Sequence, residues 1–545
     1  MAEANQFEAA LRIIETLRER GYEAYFAGGC VRDLLLGREP ADYDVATNAT
    51  PDVVLEMFPR TFAVGAHFGV VLVAPDAEEA GFVTEVATFR SDLAYSDGRH
   101  PDGVRYTKTA EEDVQRRDFT INGLLLDPVK AFPQGLKPAL SAEVNVRAKA
   151  RTLQGTSANR GKDDFGWRPQ GEKTTAGPST AQAAKDAACF AQDDSRFLSA
   201  QDDSRFLSAQ DDSRFSNAYG DKTVGKYSDL RAAVLDYVGG LADLDAGVVR
   251  AIGRAETRFE EDHLRMLRAV RFAARFGFEI EAQTKRAIRS LASRIHAVSR
   301  ERVRDELTRM LTEGHARRAF ELLDETGLLK EVLPEIARMK GVEQPPQYHP
   351  EGDVWVHTLM LLEQLEPGCS MTMAWGALLH DVGKPPTFKR APDRIRFDGH
   401  VEIGVAMGAE ICRRFRFSNE ETRQVLALIE NHMRFMDAQR MKESTLKRFF
   451  RLERFEEHLA LHRMDCMASN GFLGHWEFVR ERYSATPEEM VRPKPLITGR
   501  ELIAAGYKPG ARFREMLQAA EDAQLEGAVA TSEEAIKLVR DRFPE

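Results

Sequence analysis

The sequence predicts an α+β protein, with a mixed-sheet N-terminal head followed by a body built of helices. Three observations carry that expectation. Residues 1–128 alternate helix-like and strand-like hydrophobic patterns, and residues 129–229 lose apolar periodicity altogether. Beyond Glu256, apolar residues recur every three to four positions, as in HLRMLRAVRFAARF, which is the repeat of an amphipathic helix.

The N-terminal MAEANQFEAALRIIETLRERGYEAYF has the mixed charge of an amphipathic helix, not the apolar centre of a signal peptide. Gly28 and Gly29 follow, then an amphipathic run from Val31 to Gly37 that reads as a short helix. Paired glycines let backbone N–H groups approach a phosphate, and a helix N-terminus favours its negative charge. In GREPADYDVAT, Asp42 and Asp44 are two apart, so an extended backbone directs both carboxylates to one face. Glu85 lies in GFVTEVATFR, an alternating run that reads as a buried strand. An acid there is costly to bury unless it is paired or binds metal. A phosphate cradle beside paired carboxylates is what a nucleoside-triphosphate site with two metal ions requires.

In residues 129–229 Gly, Ser, Thr, Gln and Asp dominate. The nonapeptide AQDDSRFLS starts at Ala191 and again at Ala200, and a third copy from Ala209 ends as AQDDSRFSN. Three copies without apolar alternation cannot build a stacked core, so a long disordered insertion without chemistry is expected. After it, AAVLDYVGG keeps strand character, and Leu235 to Gly253 completes the head.

A chain of 545 residues with 43% hydrophobic content fits three or four globular domains. No run approaches the ~20 apolar residues of a membrane-spanning helix. The five cysteines, Cys30, Cys189, Cys369, Cys412 and Cys466, show no CxxC spacing and read as reduced thiols of a cytoplasmic protein without structural zinc. A net charge of -10 is unusual for a partner of nucleic acid, but local field matters more than overall sign. Between 261 and 320 there are fourteen Lys or Arg against eight Asp or Glu. Arg268, Arg271 and Arg275 recur there at helical spacing, as a phosphate-facing surface or as a solvated face with internal ion pairs.

Taken together, GGCVRDLLLG, DYDVAT, EVATFR, SDGRHPDGV and RRDFTINGLLLDP resemble the head of the class II tRNA nucleotidyltransferases and their relatives, the bacterial poly(A) polymerases. RFEEDHLRMLRAVRFAARFGFEI and ERVRDELTRML resemble the neck helices of that family. The resemblance implies a polymerase-β-like nucleotidyltransferase head in 1–128, ending in 230–256 after the insertion at 129–229. It implies a neck and body in 257–340 that bind RNA and the nucleotide base, and a helical tail in 481–545. Family members join segments like Leu124–Pro128 and Leu235–Leu244 by a short hairpin, so the insertion is expected between two strands of the head.

By the same resemblance, Asp42, Asp44 and Glu85 are the catalytic carboxylates, with Mg2+ as their metal. Gly28, Gly29, Arg32 and Asp33 shape the phosphate turn, Arg117 contacts the triphosphate, and Asp118 with Asn122 orients the sugar or couples head to neck. A mobile loop from Ser96 to Gly103 is implied in switching between C and A addition. Glu261, Asp262, Arg265 and Arg268 stand at the family's base-selecting motif, EDxxR. On one helix, Asp262 and Arg265 would share a face. There a carboxylate accepts from an exocyclic amine and a guanidinium donates to a ring nitrogen, a pattern offered by cytosine and adenine alike. Uracil and guanine would leave buried polar groups unpaired, at ~1–3 kcal/mol each.

A second site is written into residues 341–480. His357, His380, Asp381, His400, His432 and Asp465 occur in HTLMLLE, ALLHDVGKPPTF, FDGHVEIG, IENHM and HRMDCMASNG, segments that resemble the HD family of metal-dependent phosphohydrolases. Imidazole and carboxylate ligands suit Mn2+, Co2+, Ni2+ or Fe2+, and Lys384 is placed to meet a phosphate. His462 competes with Asp465 as a ligand, while His349 and His475 read as packing or surface residues.

The function implied is template-independent addition of CMP and AMP to the 3′ end of tRNA, using CTP and ATP, with an HD phosphohydrolase or 2′,3′-cyclic phosphodiesterase activity beside it. Addition of A alone, of CC alone or of a poly(A) tail stays open. So does a phosphohydrolase whose head only binds RNA. The mixed charge of the C-terminal EDAQLEGAVATSEEAIKLVRDRFPE counts against the poly(A) polymerases, whose tails tend to be basic. Oligomeric state is not legible.

Overall fold

Mostly buried strands build the N-terminal sheet. The computed structural model describes residues 6–63, 69–75, 82–92, 104–131, 230–392 and 394–544. Helix α1 (Gln6–Glu19) turns Ala10, Leu11, Ile13, Ile14 and Leu17 inward, the stripe expected of its sequence. Its Phe7 ring stacks on Phe26 of strand β1 (Ala24–Ala27), with centroids 5.5 Å apart. Helix α2 (Gly29–Leu35) follows β1 directly. Next come β2 (Asp44–Thr47), helix α3 (Pro51–Met57), β3 (Thr61–Phe62), β4 (Val70–Val73), β5 (Thr84–Thr88), β6 (Arg90–Asp92), β7 (Val104–Tyr106), helix α4 (Ala110–Gln115), β8 (Leu125–Leu126) and β9 (Val234–Leu235).

Seven of these strands form one mixed sheet in the order β3-β4-β5-β2-β1-β8-β9. All neighbours are antiparallel except β2 and β5, which run parallel with Val45 beside Val86. Strands β8 and β9, on either side of the long insertion, are antiparallel neighbours, with Leu125 opposite Leu235. The insertion itself (from residue 132) and the Ser96–Gly103 loop lie outside the described residues.

The chain divides into two compact units, Met1–Arg265 with Glu279–Ala287, and Met266–Phe278 with Ile288–Glu545. The second is helical, as its periodicity predicts. Beyond Glu256, however, three two-residue strands interrupt the expected helical run. In the first unit, β10 (Val248–Val249) pairs with β11 (Glu279–Ile280). In the second, β12 (Lys389–Arg390) pairs with β13 (Ile395–Arg396). Elements this short bury too few residues to leave a period in the sequence.

Of the two readings of the arginines at helical spacing, Arg271 and Arg275 show the internal ion pairs. Arg271 is fully buried, donating to Glu306 at 2.7 Å and Glu313 at 3.4 Å, and Arg275 donates to Glu313 at 3.3 Å. These two do not form a phosphate-facing surface. They neutralise carboxylates from Arg300–Thr312 and the residue that caps it, because a buried guanidinium is tolerated only when paired.

Candidate active site and metal centre

In the first unit, sheet register gathers the three head carboxylates. Ala27, the last residue of β1, lies opposite Asp44, the first of β2. The parallel register of β2 with β5 sets Asp44 beside Glu85, so the two share a face. Both are half-buried; Asp42 is exposed and sits just before β2 rather than within it. Gly28 follows Ala27 with φ 69° and ψ -126°, a backbone that only glycine adopts without strain. A Cβ on Gly28 would stand 3.1 Å from Arg117 Nη1. The phosphate turn, its arginine and the carboxylates therefore meet at one end of β1, β2 and β5.

Buried polar contacts hold that turn. Arg32 and Asp33 are an adjacent ion pair at 2.9 Å, both buried. Arg32 Nη1 donates to Asn122 Oδ1 at 2.5 Å, and Asn122 Nδ2 donates to Asp118 Oδ1 at 3.0 Å. Asp118 Oδ1 also accepts from the Phe119 N–H at 2.8 Å. Arg117 donates to Asp113 at 3.1 Å and to the Asn122 carbonyl at 3.4 Å, leaving its buried Nε without a partner among the described residues. The Arg117 Nη1 that donates to Asn122 is the atom beside Gly28. An all-oxygen set of three carboxylates fits Mg2+, which takes carboxylates together with substrate phosphates.

The segment Glu261–Arg268, expected from resemblance to select the base, folds differently from expectation. Asp262 leaves the helix Ala255–Glu261 with φ -145° and ψ 106°, and a new helix begins at Arg265. Asp262 Oδ1 accepts the Leu264 N–H at 3.0 Å, a local turn that outcompetes helix continuation. Asp262 and Arg265 therefore do not share a helical face. Glu261 is the partner that aims the arginine: its Oε2 accepts from Arg265 at 2.6 Å and from Arg258 at 2.9 Å. Arg265 also reaches the Arg116 carbonyl at 3.4 Å, one residue from Arg117. Arg268 is half-buried, its guanidinium 5.5 Å from the Phe272 ring centre.

In the second unit, the six residues of the H, HD, H, H, D series meet around Asp381. His357 Nε2 is 3.1 Å from Asp465 Oδ1 and 3.8 Å from Asp381 Oδ2. His380 Nε2 lies 3.2 Å from Asp381 Oδ2, while His400 and His432 approach Oδ1 at 4.0 and 3.8 Å. Ligands of one ion held at ~2.0–2.2 Å stand about 3–4 Å apart. The Nε2 atoms of all four histidines and Asp381 Oδ1 are buried without a well-formed hydrogen bond among the described residues. Two ligand groups result, His357–His380–Asp465 and Asp381–His400–His432. The donor set fits a pair of divalent ions.

Local structure aims these atoms. Asp353 caps the helix Val354–Leu362 that carries His357, accepting from the Trp355 and Val356 N–H groups. His380 and His432 stand at helix C-termini and His400 at a helix N-terminus. Gly383 lets the HD turn touch the next helix, since a Cβ there would lie 2.0 Å from the His400 carbonyl oxygen. Burial lowers the His357 pKa, yet the adjoining Asp465 and Glu351 carboxylates outweigh it and push it up to about 9. Burial pulls His432 down to about 4. Burial also resists ionisation of Asp381, but Lys384 and His380 hold its carboxyl well below the ordinary range. His462 instead stacks on Phe435, with centroids 4.4 Å apart, and its Nε2 faces Cys466 Sγ at 3.6 Å, which leaves Asp465 as the ligand. Sequence reasoning missed Glu351 and Gln344, and it set His349 aside. None lies in the apolar period of a helix that could have flagged it.

Family models match three stretches: a poly(A) polymerase head domain at 24–134, a probable RNA- and SrmB-binding site of polymerase A at 277–340, and a second tRNA nucleotidyltransferase domain at 401–539. The A-adding tRNA nucleotidyltransferase of Deinococcus radiodurans is 34% identical over 327 residues, 56% of this chain and 74% of that protein. The CCA-adding enzyme of Lactobacillus gasseri is 29% identical over 361 residues, 66% of this chain; the match spans 64% of that enzyme's length. In fold, the chain resembles the CCA-adding enzyme of Bacillus stearothermophilus in complex with CTP, with TM-score 0.63 and 23% identity over 99% of this chain and 98% of the other.

Proposed function

Because the chain belongs to the tRNA nucleotidyltransferase family, we propose that it adds CMP and AMP to the 3′ end of tRNA without a template. The observation that carries this reading is the meeting of Asp42, Asp44 and Glu85 with the Gly28 turn and Arg117 at one end of the sheet. Bound to such carboxylates, two divalent ions, Mg2+ by the oxygen-only donor set, supply an activated 3′-hydroxyl and charge neutralisation at the departing pyrophosphate. Arg117 and the turn's N–H groups hold the triphosphate in line. Arg32, Asn122 and Asp118 keep the turn rigid, which preserves the attack geometry. Glu261 braces Arg265 for the base edge, and Asp262 supplies the neighbouring acceptor from its turn.

The test offers CTP, ATP, GTP and UTP singly to tRNA ending before C, after C and after CC. C and A incorporation stopping after three residues is expected. Addition of A alone, as the name of the Deinococcus relative describes, would narrow the activity to the last step.

A second reading is favoured by the cluster around Asp381: a metal-dependent phosphohydrolase centre held by His357, His380, Asp381, His400, His432 and Asp465, with Mn2+, Co2+, Ni2+ or Fe2+ as the metal. Held by these six residues, divalent ions would supply Lewis acidity toward a substrate phosphate. Lys384, 2.7 Å from Asp381, presents its ammonium to a substrate phosphate.

A further inference from the structure

Three of the four clustered histidines are aimed by one device. Nδ1 of His380, His400 and His432 each donates to the carbonyl three residues back, Ala377 at 2.9 Å, Phe397 at 3.0 Å and Ile429 at 2.7 Å. His357 does otherwise. The carbonyl three residues back is that of Val354, which accepts from Thr358 Oγ1 at 2.8 Å. His357 Nδ1 donates instead to Glu351 Oε1 at 2.9 Å, with the Ala468 carbonyl a longer second acceptor at 3.3 Å. The same oxygen accepts from His349 Nδ1 at 2.8 Å, and Gln344 Nε2 reaches it at 3.4 Å. Gln344 Oε1 in turn accepts from Lys384 Nζ at 2.7 Å, and Lys384 donates to Asp381. A buried circuit therefore runs from one end of the six-residue cluster to the other through residues outside that series. The Glu351 side chain is only 4% exposed, so its charge acts on His357 with little screening.

A carboxylate behind a metal-binding histidine fixes the tautomer and raises the basicity of the opposite nitrogen more than a carbonyl does. We propose that Glu351, steadied by His349, is a positioning residue that makes His357 the strongest histidine ligand and so sets the divalent-ion affinity of the His357–His380–Asp465 group. The proposal rests on reading the cluster as a metal centre, and the experiment separates the two.

Full-length protein stripped of metal is titrated with Co2+, followed by calorimetry and by the visible absorption of the bound ion. In Glu351→Gln the amide oxygen still accepts from His357 but the charge is gone. Its tightest Co2+ is expected to bind about 10–100-fold more weakly, whether or not the melting midpoint of the metal-free protein falls. A role in folding alone would lower that midpoint and leave Co2+ affinity in place. His349→Gln should shift affinity the same way by less, and it decides the matter if Glu351→Gln does not fold. Asp381→Asn should lose Co2+ binding. If both outer variants bind Co2+ like the unaltered protein while Asp381→Asn does not, the positioning role is overturned and the centre stands. No Co2+ binding by the unaltered protein overturns both. A third Co2+ that vanishes in His349→Gln would make His349 and Glu351 ligands themselves, and overturn the relay.

Discussion

Asp113 in α4 has no sequence signature of its own, yet it fixes Arg117. Its buried carboxylate lies 2.7 Å from Arg116 and 3.1 Å from Arg117 and accepts the Arg90 N–H at 3.3 Å. Burial opposes its ionisation, but the two guanidiniums hold its carboxyl below the ordinary value. A depressed folded pKa adds stability above the unfolded value of ~3.9, and that stability is lost as pH falls through the folded pKa. Asp113→Asn should therefore cost about 1.5–3 kcal/mol at pH 7. Denaturant titrations at stepped pH should show the gap from the unaltered protein closing below about pH 4. A gap that persists there would mean the loss is steric. At this scale the sequence displays ligands better than their supports. The metal-site histidines and aspartates form an ordered series, whereas Glu351 stands outside any helix and becomes visible only once His357 is seen to donate to it.

Among the elements, the helix Val354–Leu362 depends on its first residue. Asp353 Oδ1 accepts from Trp355 and Val356, and Oδ2 accepts from the Gly341 N–H at 2.7 Å. Asp353→Ala should cost about 1–2 kcal/mol by loss of the cap. Urea unfolding checks the stability, and a weaker Co2+ titration is expected beside it, since the cap orients the first turn bearing His357. The helix Asn419–Asn431 is closed by a capping box of Ser418 and Glu421, which delivers His432 at its far end. The helix Asn419–Asn431 was legible from the stripe it packs inward, whereas Val354–Leu362 is buried on most of its surface. The break at Asp262 was not legible. EDHLR reads as continuous helix, and only the Asp262 bond to Leu264 divides it.

Over the whole chain, two constellations are proposed to serve two chemistries. Asp42→Ala should abolish nucleotide addition to tRNA and leave Co2+ binding intact. His380→Ala should do the reverse, with both activities measured on the same preparations. Loss of both in either variant would overturn the division. Among the described residues, no helix is long and apolar enough to cross a membrane. Sequence by itself determined the order of elements and the identity of the chemical groups, because hydrophobic period and motif spacing are local properties of a chain. Tertiary structure alone decided which groups meet. Strand register brought Glu85 to Asp44 across some forty residues, and helix packing brought Asp465 to His357 across more than a hundred. Burial turned Arg271 inward to Glu306, since its charge requires a partner once water is gone.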